Sequence, residues 1–301
     1  MIGQGTWGFG DNPRRHRAEV DALREGFAAG MTLVDTAEFY GAGESERVVG
    51  DATTDCRESV FLVTKIWPSH AEPRAMRDAL FASLRRLRTD HVDACLLHWP
   101  TRAVPLPRIV EGLVALQASG LARHVGVSNF PHAMAAPTIA GLPAAAQAGG
   151  RSVFFHELPY SLSDRRVELT LLRQVQDAGG VLLAYSPLGH GRLLRRAGSD
   201  IAALKGIAAG RGITPAQAAL AFLAAESGVV VLAKAADPRH VRENARSGDL
   251  SLDPEDLARL REAFPASRKD IGFGLPPNQA FFSLVYGGSR LLQGLHGRYG
   301  A

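Results

Sequence analysis

The chain has 301 residues, 46% of them hydrophobic and 21% charged, which is enough for a large core and excludes disordered, collagen-like and mucin-like classes. At about 150 residues per domain the length fits two domains, yet an α/β barrel commonly uses roughly 200–250 residues as one, so length alone does not choose. Lys and Arg (34) against Asp and Glu (30) leave a net charge of +4 with no run of like charge, which argues against nucleic-acid partners and a polybasic membrane anchor.

Short apolar runs alternate with segments of helical period along the whole chain. In order, residues 2–7, Thr32-Leu33-Val34, Val60-Phe61-Leu62-Val63, the run from Val92 to Leu97, His124-Val125-Gly126-Val127, Val153-Phe154-Phe155, Val181-Leu182-Leu183-Ala184 and Val229-Val230-Val231-Leu232 read as strands. Between them, Val20/Leu23/Phe27, Met76/Leu80/Leu84/Leu87, Ile109/Leu113/Leu116 and Val167/Leu171/Leu172/Val175 recur at helical spacing, and each predicts three or more turns. Thr214-Pro215 and Asp253-Pro254 each place an N-cap residue before a proline suited to the first helical position. Residues 133–150, rich in Ala, Pro and Gly, read as a weak helix followed by a loop. Strands buried on both faces read as continuous apolar runs, and parallel neighbours need a crossover helix. The alternation therefore predicts a single-domain (β/α)8 TIM barrel over residues 1–265, with residues 266–301 as a C-terminal extension of unassigned role.

Gly3-Gln4-Gly5-Thr6-Trp7-Gly8 matches the G-x-G-x-x-G dinucleotide fingerprint, but that motif needs a strand before it and a helix opening on its last glycine. Here Phe9-Gly10-Asp11-Asn12-Pro13 follows, which is loop chemistry, and the Rossmann reading is set aside. Cys56 and Cys95 have no CxxC partner, so neither a disulfide framework nor a metal site is read, and Cys95 fits a small core hydrophobe. With no cationic leader and no apolar run of about 18 residues, the expected location is the cytoplasm, with no membrane contact.

In a barrel of this type the C-terminal strand ends converge on one mouth. Asp35 follows Leu33-Val34 with Tyr40 in the loop beyond; Lys65 follows Val63-Thr64; His98 follows Leu96-Leu97. A lone polar residue at a strand end is usually a solvated terminus, but four proton-carrying side chains on one rim are not so easily dismissed. The chain's three tryptophans, Trp7, Trp67 and Trp99, fall on the same rim and predict the aromatic wall of a small-molecule pocket.

A tyrosine hydroxyl is a poor acid at neutral pH, and a neighbouring ammonium lowers its pKa. Asp35 would keep Lys65 charged and oriented, while His98 polarises a carbonyl that Tyr40 protonates. No side chain supplies hydride, so a redox reading requires a bound cofactor.

The ordered motifs Gly5-Thr6-Trp7, Val34-Asp35-Thr36-Ala37, Tyr40-Gly41, Thr64-Lys65, Leu97-His98-Trp99-Pro100, Gly126-Val127-Ser128-Asn129-Phe130, Tyr185-Ser186-Pro187-Leu188 and Lys234 with Glu243-Asn244 resemble the aldo-keto reductase family over residues 2–265. Within it the chain is most similar to bacterial members of the 2,5-diketogluconate and methylglyoxal reductase type. The resemblance implies NADPH-dependent reduction of a small aldehyde or ketone, with NADH as the alternative cofactor. It places the catalytic tetrad on Asp35, Tyr40, Lys65 and His98, with Tyr40 as general acid. It puts Ser128 and Asn129 at the nicotinamide carboxamide, Tyr185 against the nicotinamide ring, Ser186 and Leu188 in the pyrophosphate loop, Lys234 at the 2′-phosphate, and Glu243 and Asn244 at the adenine. Thr6 and Trp7 of the first motif join this cofactor set.

Three departures from the family pattern stand out. Glu157 in His156-Glu157-Leu158-Pro159-Tyr160 replaces the usual glutamine, and an ionised carboxylate accepts from an amide but cannot donate. Ala235 replaces the usual serine after Lys234, and His240 takes the phosphate-clamping arginine position with Arg239 one residue early, which weakens the case for NADP over NAD. Only Met1-Ile2 precede the first motif, so the N-terminal β-hairpin of the family is not expected, and apolar residues at that pole would be exposed unless something covers them. The apolar stretch Phe281-Phe282-Ser283-Leu284-Val285-Tyr286 in the tail is expected to cover the mouth or bottom, or to pair with another subunit. Partners are otherwise a small carbonyl substrate, with the protein a monomer or weak homo-oligomer. Two other functions fit parts of the pattern: a nucleotide-binding sensor with little turnover, and a Schiff-base aldolase using Lys65, which leaves Ser128-Asn129 and Lys234 unexplained.

Overall fold

The computed structural model describes residues 1–146 and 153–266. The valine-rich runs form β1 (Ile2–Gly5), β2 (Leu33–Asp35), β3 (Phe61–Ile66), β4 (Val92–Leu97), β5 (Ala122–Ser128), β6 (Phe154–Pro159), β7 (Val181–Tyr185) and β8 (Val229–Ala233). They pair in sequence order as parallel neighbours, and β1 closes on β8 through Ile2↔Val231 and Gln4↔Ala233, giving a closed eight-stranded barrel. This is the single-domain (β/α)8 barrel that the alternation predicts.

The helices are α1 (His16–Ala28), α2 (Glu44–Thr53), α3 (Pro73–Leu87), α4 (Leu106–Ala118), α5 (His132–Ala146), α6 (Leu171–Asp177), α7 (Arg192–Arg195), α8 (Ser199–Gly210), α9 (Pro215–Ala224), α10 (Pro238–Arg246) and α11 (Pro254–Ala263). Their starts follow the side chains: Thr214 and Gln217 form a reciprocal capping box on α9, and Asp253 caps α11 through the Asp256 N–H. The continuous helix expected over Val167–Val175 is instead split at Thr170 into a 3₁₀ turn, Arg166–Leu169, and α6. Tertiary bonds override periodicity there. Tyr160 Oη and Arg165 Nη2 both donate to Glu168 at 2.6 Å, and Arg165 Nη1 donates to the Phe264 carbonyl, tying the turn to the end of α11. The loop expected after α5 and the tail segment around Phe281 lie outside the described residues.

The match to the dinucleotide fingerprint is strand, with turn beyond it. A Cβ on Gly3 would approach Leu33 and Leu232 inside the barrel, and the Gln4 amide on the opposite face donates to the Leu23 and Met31 carbonyls beneath α1. Close packing explains Gly3, and a left-handed backbone at φ 80° explains Gly8, neither needing a phosphate. At the N-terminal pole, Phe61 packs on Phe155 and His124 at ring-centroid distances of 5.6 and 6.0 Å and these rings are largely covered, whereas Met1 is exposed. Both cysteines are free, Cys95 being fully buried. Among the described residues no helix is long and apolar enough to cross a membrane, and no cluster of His, Cys, Asp or Glu could hold a metal.

Candidate active site at the barrel mouth

The strand pleat decides which side chains meet. Leu33, Val63, Leu96, Phe155, Leu183 and Leu232 form one cluster inside the barrel. Side chains alternate faces along a strand, so two residues further on, Asp35, Lys65, His98, Glu157, Tyr185 and Lys234 emerge on the same inner face at the C-terminal pole. Gly126 leads in the same way to Ser128, and a Cβ on Gly126 would lie 2.0 Å from the Phe155 carbonyl, so only glycine fits between β5 and β6.

Lys65 is fully buried at the centre of this set. Its ammonium donates to Asp35 Oδ1 at 2.5 Å, to the Thr36 carbonyl at 3.0 Å and to Tyr40 Oη at 3.2 Å. Glu157 Oε2 stands 3.2 Å from the same nitrogen but out of line for a hydrogen bond, and has no other partner among the described residues. Since the Tyr40 oxygen accepts from Lys65, its own O–H is left to point elsewhere. Thr6 supports the arrangement from behind: its hydroxyl donates to the Asp35 carbonyl at 2.9 Å and accepts from Ser45 at 2.8 Å. That hydroxyl is held from both sides within the protein.

Burial raises the Tyr40 pKa, and the Asp35 and Glu157 charges add to the rise, outweighing the lowering by Lys65. Lys65 does pull the Tyr40 pKa down, as expected, but burial more than offsets it in the protein alone. Lys65 is held above its ordinary range by those carboxylates in spite of burial. Burial and Lys65 hold His98 well below its usual value, so it is a neutral imidazole, with Nδ1 buried and unpartnered among the described residues. Burial, with the Asp35 charge second, pushes Glu157 up to about 8.

An aromatic wall surrounds the tetrad. Trp7 meets Tyr40 edge-on at 4.9 Å, and Trp67 meets His98 edge-on at 5.4 Å. Trp99, next after His98, is half-buried. Phe39, which the sequence reasoning missed, stacks on Trp67 at 4.0 Å and 9° and on Trp7 at 6.4 Å and 19°. Glu38 locks the stack, since its Oε1 accepts from the Trp67 N–H at 2.6 Å and bonds His70 Nδ1 at 2.9 Å. The signal for both was adjacency to Tyr40 in a loop that must cross the mouth.

On the far side, Tyr185 Oη donates to Asn129 Oδ1 at 2.8 Å, and Asn129 Nδ2 donates to Ser128 Oγ and to the His98 carbonyl. Asn129 holds a left-handed backbone at φ 62°, which asparagine tolerates better than most residues. Ser186 repeats this at φ 52° and opens the β7 loop, where its hydroxyl meets His190 Nε2 at 3.2 Å and Leu188 packs on the core. Beyond β8 the Lys234 ammonium lies 5.5 Å above the Phe9 ring. On α10, His240 is exposed, Glu243 half-buried and Asn244 buried, while Arg239 pairs with Asp237 at 2.9 Å. The barrel thus brings every expected residue to its C-terminal pole except Glu243 and Asn244, which lie further along α10.

Comparison with known proteins agrees with this geometry. The model of the Aldo/keto reductase family matches residues 1–264. Methylglyoxal reductase YeaE of Escherichia coli is 38% identical, over 89% of this chain and 92% of that protein. An aldo/keto reductase of Klebsiella pneumoniae solved with NADP and acetate is 36% identical with a TM-score of 0.82, covering 89% of this chain and 92% of that one. A Klebsiella pneumoniae aldo-keto reductase solved with NADPH gives 37% identity and a TM-score of 0.81 over the same shares. With a closed barrel, a buried Asp–Lys–Tyr cluster at its mouth and a family match over residues 1–264, the chain belongs to the Aldo/keto reductase family of oxidoreductases.

Proposed function

We propose that the protein reduces small aldehydes and ketones with NADPH, Tyr40 acting as general acid. The observation that carries the reading is the Lys65 ammonium donating to Tyr40 Oη from a fully buried position. The phenol oxygen is occupied from behind, so its proton is presented to the pocket, where it can pass to a carbonyl oxygen as negative charge develops there. His98, neutral and with one N–H to donate, is placed to hold the same oxygen. Trp7, Phe39, Trp67 and Trp99 exclude water and favour a small, uncharged carbonyl compound. The name of the Escherichia coli relative puts α-oxoaldehydes such as methylglyoxal first in a substrate panel.

The residues present suit a nicotinamide cofactor. The unpartnered Glu157 Oε2 is a buried polar atom of the right kind for an amide, beside Ser128 and Asn129, with the Tyr185 ring at the end of β7. Ser186, Leu188, Lys234, His240, Glu243 and Asn244 would take the phosphates and adenine, and the nicotinamide would supply the hydride. A Schiff-base role for Lys65 fits poorly, because it requires a neutral, accessible amine and this one is fully buried and held as an ammonium.

The test is Tyr40→Phe. Carbonyl-dependent NADPH oxidation is expected to fall by about 10²–10⁴-fold, the usual worth of a general acid, with cofactor binding retained. A variant as active as the parent would overturn the acid assignment, and tight NADPH binding without turnover in the parent would favour the sensor.

A further inference from the structure

We propose that Glu157 and Asp35 form a one-proton carboxyl pair on the Lys65 ammonium, with Glu157 the proton holder, and that loss of this proton retunes the site by placing a second negative charge beside Tyr40. Asp35, Lys65 and Glu157 are 3%, 0% and 2% exposed, so water does not screen them. One ammonium neutralises one carboxylate, and a second ionised carboxylate in the same dry space would leave a net charge of −1.

Geometry then says which acid keeps the proton. Asp35 holds Lys65 through an aligned contact at 2.5 Å, whereas Glu157 stands off at 3.2 Å without alignment. Ionisation is stabilised at Asp35 first. A proton on Glu157 turns a pure acceptor into a donor, so in that state Glu157 offers what a neutral amide side chain would. Of the other groups around it, Tyr40 shares the Lys65 ammonium, neutral His98 stands just beyond β4, and Tyr185 on β7 feels the Glu157 charge together with Asp164 and Arg166. Apart from Lys65, no cation is in contact with Glu157 among the described residues.

The consequence has a sign. Glu157 acts through Lys65 as a positioning residue: with its proton on, Lys65 faces one anion and assists Tyr40 in releasing its proton. With the proton lost to solvent, Lys65 is shared between two anions and Tyr40 becomes a weaker acid, so reduction slows as pH rises. Resting on the proposed function, the same extra charge favours the cationic oxidised nicotinamide over the neutral reduced one.

Two measurements on the full chain separate this from the parent reading. Infrared difference spectra of the ligand-free protein between about pH 6.5 and about pH 9.5 should show a protonated-carboxyl band that disappears on raising the pH and is absent in Glu157→Gln. Fluorescence titrations with NADP⁺ and NADPH over that range should show the ratio of their dissociation constants shifting by roughly tenfold toward NADP⁺ in the parent and staying constant in Glu157→Gln. A missing band, or one that survives in Glu157→Gln, overturns the pair. A ratio that ignores pH in the parent overturns its coupling to the site. Failure to bind nicotinamide or reduce carbonyls would overturn the proposed function, leaving the infrared result to decide the pair.

Discussion

Lys65 Nζ stands 2.5 Å from Asp35 Oδ1, and both side chains are buried. Removing one partner of such a pair ordinarily costs about 3–5 kcal/mol, because the other is left as an unpaired buried charge. Here Glu157 waits 3.2 Å from the same ammonium. Asp35→Asn should therefore cost less than that range, since Glu157 sheds its proton and becomes the counter-ion. In the Glu157→Gln background the same change should show the full loss. A double-mutant cycle in denaturant unfolding reads the coupling, and strictly additive effects would rule out the substitution of one carboxylate for the other.

Glu157 also predicts a pH dependence of stability. Its folded-state pKa of about 8 lies above the ordinary carboxyl value, so between about pH 4.3 and 8 the folded state binds more protons than the unfolded one. This contribution makes stability fall as pH rises through that window and levels off above it. His98 and His156 act oppositely below about pH 6.5, since burial lowers both and the unfolded state then binds the extra protons. The difference between Glu157→Gln and the parent isolates the carboxyl. The variant should gain a few kcal/mol on the parent between pH 5 and 9, at about 1.4 kcal/mol per tenfold in proton affinity. A constant difference at every pH would show that Glu157 is ionised throughout.

The barrel was legible because strand ends obey a local rule. The runs ending at Val34, Val63 and Leu97 each lead into Asp35, Lys65 or His98, and the period of two carries those residues to the inner face. Thr214 and Asp253 announced α9 and α11 by cap chemistry that needs no tertiary partner. What failed depended on partners distant in sequence. Thr170 breaks a periodic helix because Arg165 is drawn to Phe264, 99 positions away. Phe39 and Glu38 gained their roles from Trp67, and Tyr40 is a weaker acid than Lys65 alone would make it because the fold buries it, to which the Asp35 charge and the Glu157 charge from β6 add. No window of sequence around Tyr40 contains the Glu157 charge.

The Glu38–His70 pair gives a smaller pH effect of the same sign as that of Glu157. The hydrogen bond to Glu38 raises His70 above its ordinary value, so the stabilisation is complete below about pH 6.5 and is lost as pH rises through the folded-state pKa. The His70 side chain is 46% exposed, so solvent screening keeps the effect below about 1 kcal/mol. His70→Gln should lower the thermal midpoint slightly at pH 6 and leave it unchanged at pH 9. Glu38→Ala should cost more and at both pH values, because it also strips the acceptor from the half-buried Trp67 N–H. Equal losses for the two variants at pH 9 would mean that Glu38 does not hold the β3 loop.

The proposed 2′-phosphate contact falls at the start of α10, and cofactor preference is expected to depend on it. The Arg239 guanidinium grips Asp237 at two points, Nε to Oδ1 at 3.3 Å and Nη2 to Oδ2 at 2.9 Å, so it is committed before any phosphate arrives. The exposed His240 imidazole cannot make the two-point contact of a guanidinium. His240→Arg should therefore tighten NADPH binding by about tenfold, consistent with one charge-assisted bond of about 1.5 kcal/mol, while NADH affinity stays unchanged. Asp237→Asn should move preference the same way by releasing Arg239, while its side-chain oxygen still caps the helix through the Arg239 N–H. Fluorescence titration of both nucleotides against each variant measures this. Equal gains for NADPH and NADH would place residue 240 away from the 2′-phosphate, and loss of NADPH affinity in Asp237→Asn would show that the Asp237–Arg239 pair is itself part of the phosphate site.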